Sequence, residues 1–268
     1  MTDETARRPG SKAGLSSPGH PHAERRSAPN RPRDPPLQVR AIGELAGTFA
    51  LTFVAVAADT AGRLTNGEVS AAARAVAPAL LVMAFVYALG DTSGAHFNPA
   101  VTLGFTLRGL FPVRWLALYV AAQFVGAIAA ALLLVAAFGP AVEAGVSTPH
   151  VPAPTALGLE VILTALLISV VLGTADRYRI VGPSAAIAVG ATIALSGLIA
   201  VPLEGASMNP ARSLGPALAT LRLENLWIYW LGPAAGAVPA VILTRVLHGP
   251  APRDEKQVEA ATGGAPGS

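Results

Sequence analysis

The chain has 268 residues, 52% of them hydrophobic and only 13% charged, with 19 Lys and Arg against 16 Asp and Glu. A soluble domain carries roughly 25% charged residues, so this composition, with a mean hydropathy of +0.52, excludes an ordinary soluble protein. Having no cysteine excludes disulfides and thiolate metal sites. The isoelectric point near 9.7 does not point to nucleic acid, because eight of the nineteen basic residues lie in the first forty positions.

Residues 1–37 are rich in Pro, Ser and Gly and too poor in apolar groups to offset the cost of ordering, so they read as a disordered tail. No apolar run with a cleavage site follows the early arginines, and a cleaved secretion signal is not expected. Spans are predicted near 41–60, 72–91, 114–138, 155–175, 181–203 and 225–247, and residues 249–268 read as a second disordered tail. The uncharged stretches Trp115 to Val142 and Ile180 to Leu203 reach the roughly 20 residues that cross a bilayer as a helix. Two further apolar stretches, Pro99 to Leu107 and Pro210 to Thr220, are too short to cross. They follow the second and fifth spans. The fold class is therefore an all-α membrane protein with six transmembrane helices and two re-entrant half-helices, forming one domain over 38–248. Arg and Lys mark the first tail, the link holding Arg177 and Arg179, and the end with Arg245, Arg253 and Lys256, whereas 139–154 has none. The positive-inside rule then places both termini in the cytoplasm.

The chain repeats itself. "GAHFNPAVT" at 94–102 matches "GASMNPARS" at 205–213, Glu44 and Glu160 open the first and fourth spans, and Tyr119 and Tyr229 each precede a Gly by seven positions. One unit, about 38–140, recurs as about 150–248. Three spans per unit make the repeat inverted, an architecture that places its site at the midplane where broken helices meet.

In each box, Asn98-Pro99-Ala100 and Asn209-Pro210-Ala211, an Asn is a favoured N-cap and Pro is tolerated at the first helical position. Both boxes thus read as helix starts, aiming roughly half a positive charge each at one point. With the Asn oxygens capping, the amide N–H groups are expected to face a lumen. The extended loops before them, Gly94, Ala95, His96 and Phe97 and Gly205, Ala206, Ser207 and Met208, are expected to line it with backbone carbonyls. Non-helical backbone at membrane depth is tolerated only against protein or a wet cavity. Arg212, three residues after Asn209, is a charge inside the membrane that repels cations and donates to neutral oxygens; the bland alternative is an arginine snorkelling to the interface. Glu44 and Glu160 suit a structural task, accepting from loop N–H groups, with proton carriage as the other reading. His96 reads as a loop-orienting residue.

These residues carry a resemblance. Over 38–248 the chain resembles the aquaporin, or major intrinsic protein, family, whose paired boxes appear as "SGAHFNPAV" and "NPARS". The resemblance implies passive conduction of water or small uncharged solutes with exclusion of protons and ions. It also implies a homotetramer with one pore per subunit in the plasma or inner membrane, with no cofactor, no metal and no enzymatic activity. By offset from the boxes, it implies a selectivity filter of Pro78, Gly197, Ala206 and Arg212. Water-strict members place an aromatic and a histidine at the first two. The small set here, with 108 residues between the boxes, is similar to the nodulin-26-like branch, which passes undissociated metalloid acids and small polyols. Ser213 after the arginine follows the water-channel pattern.

An ion-coupled secondary transporter of a small neutral solute is the competing class, since it too uses inverted repeats and broken helices. It requires a group that loads and unloads a proton or ion at the centre, whereas the central groups here are amides and an arginine that cannot deprotonate.

Overall fold

Residues 35–175, 183–250 and 261–263 are described by the computed structural model of the chain. The 1–34 part of the first tail, the Arg177 and Arg179 link, and Arg253 and Lys256 lie outside the described residues.

Long apolar runs yield six long helices among the described residues: α1 (Leu37–Leu64), α2 (Ala71–Ser93), α4 (Val113–Phe138), α5 (Ala153–Ala175), α6 (Pro183–Glu204) and α8 (Ile228–His248). All six are long and apolar enough to cross a membrane. Between them lie two short helices, α3 (Pro99–Arg108) and α7 (Pro210–Ala219). At 1.5 Å per residue each is about 15 Å long, half of a roughly 30 Å hydrocarbon core. The α3 helix stops where Gly109 takes a left-handed conformation at φ 86°, which glycine adopts without Cβ strain.

Packing follows the repeat. The α1 helix lies against α4 in the first half, α5 lies against α8 in the second, and α2 meets α6 across the halves. Each half-helix also reaches into the other half, α3 against α8 and α7 against α4. Glycines permit the tightest crossings: a Cβ on Gly126 would lie 2.3 Å from the Leu45 carbonyl oxygen, and one on Gly236 would lie 2.5 Å from that of Val161. The two tyrosines of the repeat close each half. The Tyr119 hydroxyl donates to the Ser93 carbonyl at 2.9 Å, and that of Tyr229 to the Glu204 carbonyl.

Of the stretch read as a second tail, Ala261, Thr262 and Gly263 are described, and all three are buried. The Ala261 carbonyl accepts from His96 Nε2 at 2.8 Å, and the Thr262 carbonyl accepts from Arg40. The link between α4 and α5 contains a short 3-10 helix, Gly139–Gly145, which packs on α1.

Candidate functional site

The sequence between α2 and α3 forces an unusual backbone. Gly94 turns left-handed at φ 85°, and Ala95 and Phe97 follow at 50°. In the second half Gly205 sits at 90°, Ala206 at 45° and Met208 at 53°. Non-glycine residues held there cost on the order of 1 kcal/mol each. Two buried carboxylates offset that cost. Glu44 accepts from the backbone N–H of His96 at 2.9 Å and of Phe97 at 2.7 Å. It also accepts from the Ser93 hydroxyl and the Gln123 amide, both at 2.7 Å. Glu160 accepts from Ser207 N–H at 2.7 Å and from Met208 N–H at 2.8 Å. Loop amides that would lie orphaned at membrane depth are thereby satisfied.

Both loops deliver an asparagine to a helix start. The Asn98 Oδ1 accepts from Ala100 N–H at 2.8 Å, and the Asn209 Oδ1 from Ala211 and Arg212 N–H at 3.0 and 3.2 Å. Pro99 and Pro210 occupy the first helical position. The expectation that the amide N–H groups face a lumen needs a correction. Asn98 Nδ2 donates to the Met208 carbonyl at 2.8 Å, and Asn209 Nδ2 to the Phe97 carbonyl at 2.9 Å. Each amide has two N–H groups, so one of each pair locks the opposite loop and one remains. The carbonyls of Phe97 and Met208 are correspondingly half-used.

Thr102 joins this core to the flanking helices. Its hydroxyl lies 3.0 Å from His96 Nδ1 and accepts from Gln123 Nε2 at 3.0 Å. The Ala261 carbonyl can only accept, so His96 Nε2 carries a hydrogen. The His96 ring stacks on Phe105 with centroids 4.6 Å apart.

A cavity of about 400 Å³ runs along this junction. Asn98, Asn209 and all eight loop residues from Gly94 to Phe97 and Gly205 to Met208 border it, as do Pro78, Gly197 and Arg212. Pro78 lies inside α2. Gly197 has a second neighbour: a Cβ there would lie 3.1 Å from that of Ala75, so the glycine also sets how closely α6 approaches α2. Ala100, Pro210 and Ala211 lie behind the asparagines, in the first turns of α3 and α7.

Arg212 is 8% exposed and held from three directions. Its Nη1 donates to the Gly145 carbonyl at 3.1 Å and to Ser147 Oγ at 2.7 Å, and its Nη2 to Asp59 Oδ2 at 3.2 Å. Ser147 in turn contacts Ser213 Oγ at 2.9 Å. These three partners fix the guanidinium on the cavity wall. Sequence reasoning missed its partners. Gly145 and Ser147 belong to a link that carries no motif, and Asp59 has no twin, because Ala175 occupies the equivalent offset after Glu160. The available cue for Asp59 was a carboxylate within the first apolar span. Glu204 was missed too; it is fully buried, and its Oε1 accepts from Ala206 N–H at 3.1 Å.

The chain is similar to known proteins over most of its length. Residues 34–243 match the major intrinsic protein family. The chain is 45% identical over 204 residues to aquaporin NIP1-1 of Zea mays, covering 76% of this chain and 72% of that one. It is 40% identical over 204 residues to aquaporin NIP2-1 of Oryza sativa subsp. japonica, covering 76% and 68%. Among solved structures, the aquaglyceroporin from Plasmodium falciparum superposes with a TM-score of 0.67 at 24% identity, covering 78% of this chain and 95% of that one.

Proposed function

The chain belongs to the major intrinsic protein family, and from that premise we propose that its pore passes small uncharged solutes, glycerol and undissociated metalloid acids among them, alongside water while excluding protons and ions. Membership makes it a passive membrane channel for water and small solutes and not an enzyme. The observation that carries the finer reading is the wall of the cavity beside Arg212. Pro78, Gly197 and Ala206 present no bulky side chain there, so width does not restrict passage to water. We assign these four residues to the selectivity filter and the two Asn-Pro-Ala boxes to the pore centre.

Charge exclusion has two physical sources. The α3 and α7 N-termini direct positive dipole ends at the junction, and Arg212 adds a full charge in a low-dielectric wall, where repulsion of a cation is far stronger than in bulk water. A neutral hydroxylated solute exchanges hydration for hydrogen bonds from Arg212, from the remaining amide hydrogens of Asn98 and Asn209, and to the loop carbonyls. The distribution of Arg and Lys supports cytoplasmic termini, and the family resemblance supports a homotetramer in the plasma or inner membrane.

Stopped-flow swelling of proteoliposomes in water, glycerol, urea, boric acid and silicic acid gradients tests the reading. Expected are water permeability and faster entry of at least glycerol or boric acid than in empty liposomes, unaffected by an imposed proton or sodium gradient. Water permeability alone, with no solute entry, removes the relaxed-filter reading.

A further inference from the structure

We propose that Asp59 is a fifth residue of the constriction, supplying a hydrogen-bond acceptor beside Arg212 so that the two together bind hydroxyl groups of passing neutral solutes. The inference rests on the filter reading above and extends it to a residue outside the repeat.

Asp59 sits near the end of α1 and borders the same cavity as Pro78, Gly197, Ala206 and Arg212. Its carboxylate lies between two guanidiniums, with Oδ2 3.2 Å from Arg212 Nη2 and Oδ1 3.4 Å from Arg74 Nη1. Its side chain keeps 15% exposure. A carboxylate offers about four acceptor positions. Each arginine occupies one, so about two remain. Arg212 has five N–H donors; Nη1 and one Nη2 hydrogen are engaged by Gly145, Ser147 and Asp59. One Nη2 hydrogen and Nε–H find no acceptor among the described residues.

An arginine alone offers a solute only donors. A hydroxyl group both donates and accepts, so beside Arg212 its hydrogen needs an acceptor within reach, and going without one costs the desolvation of that group. The Arg212 and Asp59 pair removes the mismatch. The solute oxygen accepts from the guanidinium, and the same or an adjacent hydroxyl donates to the carboxylate. Polyols and undissociated hydroxy acids of boron or silicon, with several hydroxyls on one small framework, can meet both groups at once. Water is small enough to pass while contacting either alone. Arg74, Asp59 and Arg212 together carry one net positive charge, so cation repulsion survives the added carboxylate. Because Pro78, Gly197 and Ala206 put no bulky side chain on the wall, chemistry of this kind sets the preference.

The test compares wild type with Asp59→Asn, Asp59→Glu and Arg74→Gln in proteoliposomes, reading glycerol and boric acid permeability as ratios to water permeability, with proton leak measured in parallel. In Asp59→Asn, whose single acceptor oxygen is taken up by the two arginines and whose Nδ2 can only donate, the ratios fall by about fivefold, the scale of one net hydrogen bond, while water permeability stays within about twofold of wild type. Asp59→Glu keeps the carboxylate and Arg74→Gln keeps Asp59, so both hold the wild-type ratios to within about twofold. Unchanged ratios in Asp59→Asn overturn the role of Asp59. So does an equal fall in Arg74→Gln, which would reveal a charge network holding Arg212 in place, as would a proton leak in Asp59→Asn. If Asp59→Asn conducts nothing, Asp59→Glu decides: wild-type ratios uphold the acceptor and ratios reduced fivefold overturn it. A wild-type channel that passes neither solute overturns the filter reading as well.

Discussion

At the scale of single residues, the site is governed by how buried polar groups find partners. Glu44 is fully buried and accepts four hydrogen bonds, two from loop backbone and two from side chains. Glu44→Gln replaces one acceptor oxygen by a donor that then faces other donors. Hydrogen bonds to charged groups contribute about 1.5–3 kcal/mol each, and an orphaned buried donor costs a similar amount. The substitution is expected to destabilise the protein by about 2–4 kcal/mol, read as a lower unfolding temperature in detergent; an unchanged temperature would show that the loop is held by other means. Arg212→Val makes a different prediction. Solute and water entry persist because the wall becomes wider and apolar, but a fixed charge leaves the constriction. Proton or cation leak is expected to rise by an order of magnitude or more, about 1.4 kcal/mol of barrier or greater, measured with a pH-sensitive dye inside proteoliposomes. Leak at the wild-type level would remove Arg212 from the ion barrier.

At the scale of elements, what was legible in the sequence is what occurs twice. The half-helix starts at Pro99 and Pro210, the paired glutamates and the six spans all announce themselves through repetition or through long apolar runs, and their boundaries fall within a few residues of the observed ones. The partners of Arg212 were not legible. Asp59 has no counterpart in the second half, and Gly145 and Ser147 lie in a link whose course is set by packing on α1. The crossed bonds from Asn98 to Met208 and from Asn209 to Phe97 were hidden for another reason: they join positions 110 and 112 residues apart, and only the assembled halves bring them together. The repeated Tyr-to-Gly spacing was visible without its purpose, which is now plain: the tyrosine bonds the end of the second span of its half and the glycine admits the first. Adding a methyl group at either crossing forces helix backbones apart, and overpacking of this kind costs about 1–3 kcal/mol. Gly126→Ala and Gly236→Ala are each expected to lower the unfolding temperature in detergent. Gly158→Ala, where nothing lies within 4 Å of the added Cβ, is expected to leave it unchanged or raise it slightly. Equal behaviour of all three variants would refute the close-packing account.

At the scale of the whole molecule, the two halves interlock, and residues 261–263 pack against them. Each half-helix packs on a span of the other repeat, and each asparagine amide is bonded to the opposite loop. The cavity therefore exists only where both halves meet. Ala261 and Thr262 extend this closure, because their carbonyls take hydrogens from His96 Nε2 in the first loop and from Arg40 near the start of α1. Gly263 fits closely as well, since a Cβ there would lie 2.4 Å from the Thr92 backbone. The surrounding sequence, "VEAATGGAPGS", has neither the length nor the apolar periodicity that marks a packed element, so nothing in it signalled this contact. Ending the chain after Pro250 removes both carbonyls at once. His96 and Arg40 must then turn to water, and the apolar burial of Ala261 is lost. The combined cost is on the order of 1–3 kcal/mol, which for a chain of this size lowers the unfolding temperature by about 2–10 °C. The boxes, Glu44 and Arg212 keep their partners in the truncated chain, so water permeability in proteoliposomes is expected to persist. An unfolding temperature equal to that of the full chain would show that residues 261–263 are not seated on the loop in the membrane-embedded protein, and a loss of water permeability would show that they are needed to hold the first half-helix in register.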